Sequence, residues 1–133
     1  MNAPLIPVDA VELLSGLNCG VLSTAGTGGR VQSSVVWVAH EAGIPVFSTI
    51  EGRLKTRNIR SNPNVSLLVH AVDNPYRYLE VRGRVDFSID DDNALINSLA
   101  MRYLGQPVYT ADATGAKRLK GVLHPEKVVW KAA

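Results

Sequence analysis

Three short apolar runs follow one another almost without pause: "CGVLSTA" (19–25), "VQSSVVWVA" (31–39) and "IPVFSTI" (44–50). They are rich in Val, Ile and other residues that suit a pleated surface. Their links are "GTGGR" (26–30) and a hairpin through Glu41 to Gly43, both of turn composition. A parallel crossover needs about a dozen residues, so links this short force antiparallel neighbours. Later segments extend the pattern. "VSLLVHAV" (65–72) is apolar nearly throughout and reads as a strand buried on both faces. "NPYR" (74–77) reads as a turn. "YLEVRGRVDFSI" (78–89) alternates, placing Leu79, Val81, Val85, Phe87 and Ile89 on the core face. Gly83 on that face predicts a bulge or a close backbone approach. "EKVVWKA" (126–132) reads as a closing strand.

Helices fall between these runs. Asp9 with Glu12 three residues on predicts an N-cap and capping box, with a helix to about Gly16. A second helix is expected from about Arg53 to Ser61, stopped near Asn62-Pro63. "DDDNALINSLAMRYLG" (90–105) is a third, with acids at its start as the helix dipole favours. "GAKRLKG" (115–121) reads as a short helical turn. The order α-β-β-β-α-β-β-α-β argues for an antiparallel sheet or barrel with helices at its ends, not a βαβ sheet.

The totals narrow the function classes. At 133 residues, one domain over 1–133 is expected. Fourteen basic and twelve acidic residues leave a net charge of +2, too little to imply nucleic acid by itself. The single cysteine, Cys19, rules out an intrachain disulfide. No signal-like n-region and apolar core is visible, and no run approaches the ~18 apolar residues of a membrane span. A cytoplasmic protein with no membrane partner is expected.

Most chemical motifs fail. Gly26, Gly28 and Gly29 suggest a dinucleotide fingerprint, but Val31 stands where its third glycine belongs and no βαβ unit follows. His40, His70 and His124 lack companions at metal-ligand spacing. His70, in an apolar run, reads as a satisfied core residue. Ser33-Ser34 lack a nucleophile elbow. Trp37 and Trp130 read as core or interface residues.

"FSTIEGRLKTRNIRSNP" (47–63) is the exception. Helix N-termini are electropositive and ordinarily attract acids, yet this one begins with Arg53, Lys55 and Arg57, with Arg60 behind. The bland alternative is a solvated charged helix. Uncompensated, each cation there would cost about a few tenths of a kcal/mol. A bound phosphate or carboxylate reverses the sign, because backbone N–H groups and cationic side chains then converge on one anion. With Arg53 at 0°, Arg57 and Arg60 fall at about 40° and about −20°, on one face, while Lys55 points elsewhere but sits early enough to reach the helix end. Ser48 and Thr49 end the preceding strand and add hydroxyls. An anionic ligand is expected here.

On "GRLKTRNIRSNP" after a "FST" strand end, followed by "NPYRYLEVRGRV", the chain resembles the pyridoxamine-phosphate-oxidase-like split-barrel flavoproteins, and more closely their branch that uses the deazaflavin coenzyme F420. The likeness covers about residues 10 to 90, with "HPEKVVW" near the end. It implies a mainly β fold, a six-stranded antiparallel split barrel, forming a homodimer with each cofactor between two chains. By resemblance, Arg53 and Lys55 hold the cofactor phosphate with Ser48 and Thr49 beside it. Arg57 and Asn58 meet the acidic tail. Gln32, Ser33, Ser34 and Val35 line the ring, and Tyr76 of a second copy covers it, with Arg77 and Tyr78 nearby. FMN-binding members often carry a phosphate-binding Arg on the second strand, where this chain has Gln32-Ser33-Ser34. Loss of one charge-assisted contact of about 1.5–3 kcal/mol disfavours FMN and the vitamin-phosphate oxidase activity.

No acid–base pair or triad is visible, as suits hydride transfer, where the cofactor carries the chemistry. The expected activity is an F420-dependent reductase. It would donate a hydride to an activated double bond of a small acceptor (an enone, quinone or tetrapyrrole methine), with a proton from water or a hydroxyl and no assigned catalytic residue. The alternatives are an FMN-dependent oxidoreductase on the same barrel and a non-catalytic flavin, deazaflavin or haem binder. A nucleic-acid binder using Arg53 to Arg60 and Lys117 to Lys120 would show steep salt dependence; the small net charge argues against it.

Overall fold

The computed structural model describes residues 4–133. Nine regular elements follow in the expected order: α1 (Val8–Ser15), β1 (Cys19–Ala25), β2 (Val31–Glu41), β3 (Ile44–Ile50), α2 (Leu54–Ser61), β4 (Asn64–Ala71), β5 (Asn74–Ile89), α3 (Ala94–Leu104) and β6 (Arg118–Lys131). The six strands close into a barrel, β1-β2-β3-β6-β5-β4, and every pairing is antiparallel.

Alternation makes the core. Leu22, Val38, Phe47, Leu67, Val69, Leu79, Val81 and Leu123 point inward and are essentially inaccessible. Ala10, Leu13 and Leu14 of α1 join the same cluster, so this helix covers apolar surface that the strands leave open. Gly83 meets its expectation on both counts. The register shifts between Arg82 and Gly83, and a Cβ at 83 would collide with the His124 carbonyl of β6. The φ of +94° at Gly52 turns the end of β3 into α2.

Several expectations are corrected. Pro7, not Asp9, precedes the first helical residue, and its carbonyl accepts from Ala10 and Val11. Its fixed φ suits that position, and Asp9 lies in the first turn instead. β4 buries only one face: Leu68 and His70 are exposed. The apolar run misled because part of the barrel's outer surface is itself apolar. The turn before β5 is Val72-Asp73, and Asn74 to Arg77 already lie in the strand. Ile89 is 58% exposed and leaves the core. The third helix begins later, after a one-turn 3-10 segment at Asp91–Asn93, and the buried Asp90 carboxylate caps it by accepting from the N–H groups of Leu95 and Ile96. Residues 115–121 are not helical. Leu119, Gly121 and Leu123 alternate inward, and β6 begins at Arg118.

Candidate functional site

Ser48 at the end of β3, Arg53 and Lys55 at the start of α2, Arg118 at the start of β6 and Val35 of β2 surround a cleft of about 210 Å³. The chain brings them together by register. β3 ends beside the start of β6, with Ser48 opposite Lys120 and Ile50 opposite Arg118, and α2 departs three residues after β3 ends. The rest of the lining is apolar and aromatic: Trp37 of β2, Ile96 and Leu99 of α3, and Tyr109 from the loop before β6.

The cations are held close. Arg53 occupies the N-cap of α2 and makes no side-chain capping bond. The Lys55 ammonium donates to the Ser34 hydroxyl at 3.1 Å. Partial burial pulls the Lys55 amine below its ordinary range, and the neighbouring charges of Arg53 and Arg118 pull it in the same direction. Arg118 is only 6% exposed. Its Nε and Nη2 donate to the two carboxylate oxygens of Asp112 at 2.9 and 2.7 Å, and its Nη1 donates to the Ser48 hydroxyl at 3.2 Å. Tyr109 lies 5.0 Å from the guanidinium by ring centroid, its N–H donates to Asn97, and its ring meets Trp37 edge-on. The hydrogen bonds from Arg118 hold Asp112 below the usual carboxylate range, and the charges of Arg118 and Arg53 act the same way.

The expected site residues divide into groups. Ser34, Val35, Ser48, Arg53 and Lys55 gather at this cleft. Gln32 and Asn58 lie at a neighbouring hollow of about 770 Å³ that also reaches Arg30 and Leu54. There Asn58 is buried and donates to Thr24, which in turn bonds Gln32. Ser33 faces outward and bonds Ser23. Thr49 is fully buried, its hydroxyl bonded to Thr56, so it brings no side chain to the cleft. Arg57 is exposed. Arg60 is not on a common anion face: its Nε and Nη2 donate to the two carboxylate oxygens of Glu51, and it lies over Phe87. Lys55 reaches the helix start as expected, but by a different geometry from the one the helical angles gave. Arg53 is a cap with extended backbone, so helical angles measured from it do not apply, and Lys55 turns into the cleft. Tyr76 is 77% exposed at the start of β5. Arg77 pairs with Glu12 and lies over Trp130, and Tyr78 sits opposite Lys131.

Sequence reasoning passed over Arg118, Asp112 and Tyr109. The signal for Arg118 was the period-two pattern of "RLKGVL", which makes it a strand residue; nothing local marks Asp112 or Tyr109.

A family model described as pyridoxamine 5'-phosphate oxidase matches residues 7–130. No curated protein matches the chain. Among solved structures, an F420 reductase is 35% identical, with a TM-score of 0.81 over 93% of this chain and 98% of its own. General stress protein 26 of Bacillus anthracis is 23% identical, with a TM-score of 0.70 over 92% of this chain and 91% of its own. A heme binding protein of Mycobacterium smegmatis is 21% identical, with a TM-score of 0.65 over 96% of this chain and 55% of its own. These last two likenesses concern the fold alone. With its closed six-stranded antiparallel barrel and a family match over nearly its whole length, the chain belongs to the pyridoxamine 5'-phosphate oxidase-like split-barrel superfamily, which includes an F420-using branch.

Proposed function

We propose that this protein is an oxidoreductase working with a flavin-type cofactor, and specifically a homodimeric F420-dependent reductase. The observation that carries the reading is the set of three cations, Arg53, Lys55 and Arg118, facing one open cleft beside an uncapped helix start. Backbone N–H groups and cationic side chains converging in this way suit a phosphate. The 35% identity to an F420 reductase supports the deazaflavin over the flavin, as does the absence of a cation at Gln32-Ser33-Ser34.

In this reading Arg53, Lys55 and the Ser48 hydroxyl bind the phosphate, and Arg118 holds Ser48 in place. Ser34 and Val35 of β2 lie against the ring system. Arg57 and Asn58 flank the path of the acidic tail toward the hollow at Gln32. When bound, the deazaflavin supplies a hydride to an activated double bond of a small organic acceptor. The apolar wall of Trp37 and Tyr109 excludes water from that reaction, and a proton reaches the product from water or a hydroxyl. A second copy places its Tyr76 over the ring. The dimer is supported by the apolar outer face of β1, β2 and β4, where exposed Val21 stands opposite both Val35 and Leu68.

Fluorescence titration of the purified protein with F420 tests the assignment. Saturable quenching at micromolar cofactor is expected, with weaker binding of FMN. Tight FMN binding with no response to F420 would replace the deazaflavin by a flavin.

A further inference from the structure

The carboxylate of Asp112, paired with the buried Arg118, has no part in the function described above. It lies on the loop between α3 and β6, and it occupies the Nε–Nη2 edge of Arg118, the edge through which a guanidinium grips a carboxylate or a terminal phosphate in bidentate fashion. The remaining nitrogen, Nη1, is turned to Ser48 at the cleft. The loop is fixed around this pair: Tyr109 lies against the guanidinium, its N–H is bonded to Asn97, and its ring meets Trp37. Asp112 also feels the charge of Arg53 across the site. Of the three cations at the cleft, the most buried, Arg118, is therefore already paired with a built-in carboxylate whose field also reaches Arg53.

That arrangement distinguishes two kinds of phosphate. A phosphomonoester approaches two negative charges near neutral pH, because its second pKa is about 6. A phosphodiester carries one. A fixed carboxylate beside the cation cluster repels each ligand charge, so its penalty is roughly twice as large for the dianion. It also denies the dianion the bidentate edge that would compensate. We propose that Asp112 is a specificity-determining residue that selects a phosphodiester over a terminal phosphate in this cleft. The proposal rests on reading the cleft as the cofactor-phosphate site, and it supplies a physical reason for the preference for F420, whose phosphate is a diester, over FMN, whose phosphate is a monoester. Asp112 acts through Arg118 and the local field.

The test uses four ligands: riboflavin, FMN, the methyl ester of FMN, and F420. The three flavins share one ring and differ in phosphate charge. Dissociation constants are read by fluorescence quenching for the unaltered protein and for Asp112→Asn, with thermal melting as a folding control. In the unaltered protein the methyl ester should bind at least as tightly as FMN. In Asp112→Asn, FMN should gain about tenfold and the methyl ester about threefold, since the benefit follows ligand charge, and riboflavin should not change. Equal gains, no gain, or a loss for FMN in a folded variant would overturn the proposal. If the variant does not fold, the native ratio decides alone: FMN binding measurably tighter than its ester would overturn it. The F420 arm separates this idea from the cofactor assignment. A flavin series that behaves as stated without F420 binding sinks the deazaflavin reading and leaves the role of Asp112 standing. Failure of every phosphorylated ligand to bind overturns both.

Discussion

Arg60 and Arg118 carry the same guanidinium and end in opposite situations. Arg60 is half exposed and pairs with Glu51, itself 40% exposed, so that bridge is screened and contributes little. Arg118 is buried against Asp112 and reaches the cleft through Ser48, where breaking the pair would leave an uncompensated charge. Lys55 lies between these extremes, and its depressed pKa yields a prediction whose sign is fixed. An ammonium attracts the cofactor anion only while protonated. Its pKa lies below the ordinary 10.5, chiefly through desolvation. Affinity for F420 should therefore be full at neutral pH and fall as pH rises, beginning below the range of an ordinary lysine. Lys55→Arg should flatten that profile, since arginine stays charged. Lys55→Met should weaken binding about tenfold or more at pH 7, the loss of one charge-assisted contact. Titrations at several pH values between 7 and 10 check both, and an unchanged profile in Lys55→Arg would remove Lys55 from the anion site.

At the scale of elements, β5 and β6 depend on one glycine. The bulge at Arg82/Gly83 brings the β6 backbone so close that no side chain fits. Gly83→Ala should destabilise the protein by about 1–3 kcal/mol, as overpacking does, and a lowered melting temperature with retained far-UV circular dichroism would show it. This glycine was legible in the sequence because it interrupted an otherwise regular apolar face. The strands were legible for the same reason: period two survives in Leu79, Val81 and Val85 whatever lies across from them. Where a segment's surroundings decide, the sequence misled. "VSLLVHAV" looked doubly buried because Leu68 faces outward onto apolar surface, and "GAKRLKG" looked helical because its cations masked the inward alternation of Leu119 and Gly121. The candidate site divides similarly. Arg53 and Lys55 stood out against a helix dipole, a local conflict. Arg118 joins them only through the β3–β6 pairing, which links positions about 70 residues apart. No local pattern encodes that meeting.

At the scale of the whole molecule, the outer face of the barrel carries a question that one protomer does not answer. Val21, Val35 and Leu68 are exposed on adjacent strands, in cross-strand register, with Val31 further along β2. Contiguous apolar surface of this kind marks an interaction site more often than it marks inert surface. The cation-lined cleft shares β2 with this face: Val35 belongs to both. A second copy docked on β1, β2 and β4 would therefore sit at the margin of the cleft and could deliver its exposed Tyr76 there. Leu68→Arg tests the coupling. It places a charge on the face from β4, a strand that contributes no residue to the cleft lining, so the fold and the cation cluster should both persist. Light scattering after size exclusion should change from dimer to monomer, while circular dichroism stays native. Quenching of F420 fluorescence should weaken in parallel, because half of the cofactor's surroundings would be lost. A monomeric Leu68→Arg that binds F420 as tightly as the unaltered protein would mean that one barrel suffices for the cofactor. An unaltered protein that elutes as a monomer would mean that this face serves some other partner.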